Sequence, residues 1–132
     1  MDKTLNFIKI CAVTTGIAVG DLLGGFDMFI RILLIMIALD YITGVLKAIY
    51  TKTLDSSIGF KGIIKKVTAL IMVVVAVQID CAVGTEQALR VGTIFFFIAN
   101  EGISILENAS AMDMPIPSQI KNALNKFKGD EK

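Results

Sequence analysis

The chain has no histidine and no tryptophan, and only two cysteines and two prolines in 132 residues. Without His, the commonest metal ligand and general base is missing, and any aromatic belt at a membrane surface would have to come from Tyr and Phe. Cys11 and Cys81 lie far apart inside apolar segments and read as small buried hydrophobes, not as a pair. Charged residues make up 19%, against roughly 25% in ordinary soluble domains. The net charge is +1, so there is no basic excess to mark a nucleic-acid partner. There is no HExxH, no CxxC, no Gly-rich phosphate loop and no Ser–His pair. IGFKG at Ile58–Gly62 has the wrong spacing for a phosphate loop and reads as a turn leading into a helix. The sequence therefore nominates no catalytic residue, no metal and no cofactor.

What is present is hydrophobic. Apolar residues make up 55%, above the 45–50% of soluble domains, and the mean hydropathy is +0.72. They fall into four blocks, about Leu5–Leu23, Phe26–Ile49, Val67–Val83 and Leu89–Leu106. The last three are long enough to cross a hydrocarbon core of about 30 Å as helices. They are continuously apolar, not alternating, which favours helices over a barrel. The expectation is an all-α integral membrane protein with helices near 5–23, 26–50, 63–84 and 87–108, the first either spanning or interfacial. Residues 1–110 would form the membrane domain and 111–132 a cytoplasmic basic tail. Lys9 interrupts the first block and further apolar segments follow, so that block reads as part of the mature chain and not as a secretory signal.

The loops set an orientation. Thr51–Lys66 holds Lys52, Lys61, Lys65 and Lys66 against Asp55, and the tail holds Lys121, Lys126, Lys128 and Lys132, whereas the Gly84–Ala88 link has no Lys or Arg. Positive loops stay inside, so the basic loop and the C-terminus are expected in the cytoplasm and the short link outside. In the first block Ala12, Gly16, Gly20 and Gly24 recur every four residues, a small-residue stripe suited to close helix packing. Beyond Pro115 and Pro117, Ser118 could cap a short amphipathic helix with Ile120, Leu124 and Phe127 on one face.

Ionisable groups inside spans are costly and usually functional. Depth sorts them into two layers. An outer layer holds Asp80 with Arg31 and Arg90, where Asp80 could pair with an arginine. An inner layer holds Asp40 and Glu101, about 10 Å inside the cytoplasmic boundary, with Lys47 one heptad from Asp40 as a reachable cation. Asn100, Ser104, Glu107 and Asn108 fit one stripe of the fourth helix, with Glu101 at its edge, and Asp40, Thr43, Gly44 and Lys47 fit one on the second. Such faces must turn from lipid toward other helices, other copies or water, and their carboxyls could be neutral when packed and charged when lining water. The expectation is a homo-oligomer that lines an aqueous space with these residues.

DYITGVLKA (Asp40–Ala48), SSIGFKGIIKK (Ser56–Lys66), ANEGISILENA (Ala99–Ala109) and PIP (Pro115–Pro117) occur here in one order. In that order they resemble the toxin-secretion/phage-lysis holin family over roughly residues 30–125. The family's motif positions Asp40, Gly44, Gly59, Gly62, Asn100, Glu101, Ser104, Glu107 and Asn108 are all present. The resemblance implies a protein that accumulates in the cytoplasmic membrane of a Gram-positive bacterium, assembles with itself and permeabilises it. An endolysin or a toxin would then be released without direct contact. From the residues alone, a small ion channel or transporter subunit, or a membrane scaffold, stays open beside it.

Overall fold

The computed structural model describes residues 2–128. Among them there is no strand. Five helices follow in order: α1 (Asp2–Leu22), α2 (Met28–Tyr50), α3 (Ser56–Val83), α4 (Ala88–Ala111) and α5 (Ser118–Lys128). The first four are each long and apolar enough to cross a membrane. Connections of a few residues reverse the chain between successive spans.

The helices begin and end where the chain supplies caps. Asp27 accepts from the Ile30 amide at 3.1 Å and opens α2. Asp55 accepts from the Ser57 amide at 2.8 Å and opens α3. That cap starts α3 at Ser56, several residues ahead of the expected 63. The Ile58–Gly62 segment is therefore helix and not a turn, and Lys61, Lys65 and Lys66 belong to α3 and not to a loop. Gly84 takes the left-handed conformation (φ 77°) that closes α3. α1 ends at Leu22, so Gly24 lies in the loop at φ 82° and not on a helical stripe with Ala12, Gly16 and Gly20. Ser118 is the first residue of α5, so the cap position falls on Pro117, whose carbonyl accepts from Ile120 and Lys121.

α4 is the central helix, with α2 and α3 both packed on it and little contact between those two. The core is thin: Leu23, Ile30, Leu33, Val73 and Ile94 are buried, flanked by Phe29, Leu34 and Phe97 among others. On α3 the buried positions Ala69, Val73, Ala76 and Asp80 run at alternating steps of four and three, the seam that turns toward α4. Most large apolar side chains point outward, Phe7, Ile17 and Phe96 among them. The surface totals 9537 Å², against about 6,800 Å² for a soluble monomer of this mass. α1 stands apart, with none of its apolar window buried. Lipid is the solvent that makes this outward distribution stable.

Candidate functional site

α2, α3 and α4 each contribute one charge to a single cluster. The Lys66 ammonium donates to Asp40 Oδ2 at 2.5 Å and to Glu101 Oε2 at 2.6 Å. The three side chains are only 12–14% exposed. Asn108 Nδ2 donates to Asp40 Oδ1 at 3.1 Å and to Thr43 Oγ1 at 3.0 Å. Asn108 lies beside Gly44, where a Cβ would stand at an ordinary contact distance of 3.7 Å from Nδ2. Every buried side-chain polar atom among the described residues has a partner, as a low-dielectric interior requires. The partner of both inner carboxylates is thus Lys66, not Lys47, which is half-buried on the cleft wall beside them.

Two clefts open on this cluster. One, of about 320 Å³, lies between the ends of α2 and α3 and is floored by Gly44, Ala48, Gly59 and Gly62. The other, of about 420 Å³, lies between α3 and α4, with Lys66, Glu101 and Ser104 in its wall and Lys65, Asn100 and Glu107 around them. Glu101, Ser104 and Asn108 (spaced i, i+3, i+7) form the inward polar stripe of α4. Asn100 and Glu107 are exposed beside it, so the stripe lies slightly round the helix from where the sequence placed it.

A second polar site lies about 20 Å along the helices, fourteen residues up α3 from Lys66. Arg90 is 1% exposed. Its guanidinium donates to Asp27 Oδ2 at 2.6 Å, to the Gly25 carbonyl at 3.1 Å and, through Nε, to the Leu23 carbonyl at 2.6 Å. The expected Asp80–Arg90 ion pair does not form. Asp80 instead accepts from the Leu89 amide at 3.0 Å and the Arg90 amide at 2.8 Å, and from the Thr85 hydroxyl. It therefore caps the first turn of α4, which Gln87 leaves uncapped. The Arg90 guanidinium holds the Asp27 carboxyl below its ordinary range; burial opposes this, and the Ile30 amide adds a smaller lowering effect. Gly24 cannot carry a side chain here, since a Cβ would meet Arg90 Nε at 2.5 Å. Arg31 is exposed and stays outside this site. Lys52, also exposed, follows α2 at φ 56°.

Sequence reasoning missed two participants. Lys66 was counted with the loop, yet it sits three residues before Ala69 and continues the buried seam of α3, which was the available signal. Asp27 directly precedes α2, two residues after a Gly-Gly pair, the position of a capping residue. Among the described residues no group of His, Cys, Asp or Glu could hold a metal ion. The inner cluster sets two carboxylates against one ammonium within the spans.

Comparison with known proteins places these motifs. The family model described as "Bacteriophage holin family" matches residues 17–129. A probable holin of Bacillus phage phi105 is 34% identical over 102 residues, covering 77% of this chain and 76% of that one. An uncharacterised protein of Listeria innocua is 43% identical over 127 residues, covering 94% and 91%. An uncharacterised 14.9 kDa protein of Clostridium perfringens, in the nagH 3' region, is 40% identical over 128 residues, covering 96% and 97%. No solved structure matches.

Proposed function

The chain belongs to the bacteriophage holin family, and from that premise we propose that it accumulates in a bacterial cytoplasmic membrane, assembles with itself and opens the membrane to protein-sized solutes. The substance released is an endolysin or a toxin. The chain itself catalyses no reaction and needs no cofactor.

The observation that carries this reading is the Asp40–Lys66–Glu101 cluster with a cleft on either side, set in helices whose other faces are apolar. One copy satisfies its charges internally and meets lipid with the rest. Several copies that brought their clefts together would share a polar surface able to hold water. Charged residues within spans mark such paths. Lys52, Lys61, Lys65 and Lys66 lie toward the same end as Lys121 and Lys126, and the 84–87 link carries Glu86 and no cation. The positive-inside rule puts that basic end, and the C-terminus, in the cytoplasm. With four spans the N-terminus lies there too.

The test is induced expression in a bacterium that holds a cytosolic reporter enzyme, with membrane potential and reporter release followed together. A delayed, abrupt depolarisation with enzyme release is expected. Depolarisation with the enzyme retained would put a narrow ion channel in its place, and no leak at all would leave a scaffold.

A further inference from the structure

The pore reading uses α2, α3 and α4 and leaves α1 without a task. α1 carries Lys9 within its apolar length, and Lys9 makes no ion pair among the described residues. The α3/α4 cleft has the opposite imbalance. Its walls hold Asp40, Glu101 and Glu107 against Lys65 and Lys66, one negative charge in excess. We infer that α1 of one copy docks in the α3/α4 cleft of another, with its Lys9 ammonium beside Glu101. The inference rests on the membrane-oligomer reading above.

Three further observations fit that occupant. Depth is the first. Lys9 lies seven residues from the start of α1, about 10 Å. Asp40, Lys66 and Glu101 each lie ten residues from the ends of their helices on that same side, about 15 Å. The length of a lysine side chain spans the difference. Shape is the second. At 100° per residue Lys9 shares one face with Ala12 and Gly16, ahead of Gly20, which Phe26 of the same chain covers, so the cation sits on the side of α1 that a second helix can approach most closely. A Cβ added at Gly16, or at Gly62 in the cleft wall, would meet nothing within 4 Å, so both surfaces have room for close approach. Tethering is the third. Arg90 pins the loop after α1 to the far end of α4, and α1 stays off its own bundle, so a neighbour's cleft is the site it can fill. Each copy then offers one α1 and one cleft. Such a head-to-tail contact repeats into a ring or an open chain.

The experiment uses the full chain in liposomes, with Cys11→Ser and with donor or acceptor dye on the exposed Cys81. Energy transfer between copies is read while lipid dilutes the protein. Lys9→Gln alters an exposed helix and leaves the bundle folded, and association is expected to weaken roughly three- to fifteenfold. Lys9→Glu alone and Glu101→Lys alone should each associate weakly. An equal mixture of those two chains should recover, because each supplies what the other lacks, and the chain with both changes should recover as well. Wild-type association by Lys9→Gln overturns the inference. A mixture that stays weak also overturns it, and if the doubly changed chain alone recovers, the pair lies within one copy. Energy transfer needs no lesion, so a chain that associates in this way but never permeabilises loses the proposed function and keeps the interface.

Discussion

At the scale of single residues, Lys66 decides the inner site. It neutralises one of two carboxylates that would otherwise face each other in a poorly solvated span. Lys66→Met is expected to cost on the order of 3–5 kcal/mol, the scale on which an unpaired buried charge destabilises. Glu101→Leu leaves a balanced Asp40–Lys66 pair, so it should retain insertion and fold while delaying permeabilisation. Thermal unfolding of both variants in one detergent, read beside lysis timing, separates them, and equal loss of stability would remove the asymmetry argued here. The outer site gives a pH expectation. The folded-state carboxyl of Asp27 titrates below its unfolded value because Arg90 binds it. Its contribution is therefore present above the ordinary value of 3.8 and is lost as pH falls through the lower folded one. Acid titration of wild type and Asp27→Asn should show an acid-linked loss of stability in wild type that the variant lacks.

The elements differ in what holds them. α2, α3 and α4 are tied by polar contacts at two levels, and a thin apolar core lies between. α3 depends on Asp55 to begin at Ser56, and the carboxyl of Asp55 is held below its ordinary range chiefly by the Ser57 side chain. Asp55→Ala should fray the first turn of α3. Amide exchange at Ser57–Phe60 should then rise toward that of the preceding loop while the Lys66 segment stays protected. Uniform exchange along all of α3 would mean that the cap does not govern this end. α4 shows a different solution, since its first turn is capped from outside by Asp80 of the helix before it. The two helices thereby form a hairpin whose closing link needs no side-chain cap of its own.

For the whole molecule the deciding feature is the mismatch between surface and core. The chain exposes far more area than a soluble protein of its mass, and that area is largely apolar side chains. A bilayer accounts for the outward faces, and the proposed contact between copies would cover the clefts. With both native cysteines replaced by Ser, Glu86→Cys should react with an impermeant thiol reagent added outside intact cells. Ser118→Cys should react only after the membrane is opened. The reverse pattern would invert the proposed orientation.

The sequence by itself determined the class of this protein, because backbone in lipid has few solutions and four long apolar blocks select the helical one. It also placed Asp40 and Glu101 at one depth, since helical rise converts residue number into height. Partners were another matter. Depth alone coupled Asp80 to an arginine and offered Lys47 to Asp40, whereas the packed helices give Asp80 to the amides of α4, Arg90 to Asp27, and Lys66 to both inner carboxylates. Height along a helix follows from counting residues. Which side chains meet follows from the rotation and crossing of whole helices, and those are set by packing across α4 that no single segment encodes.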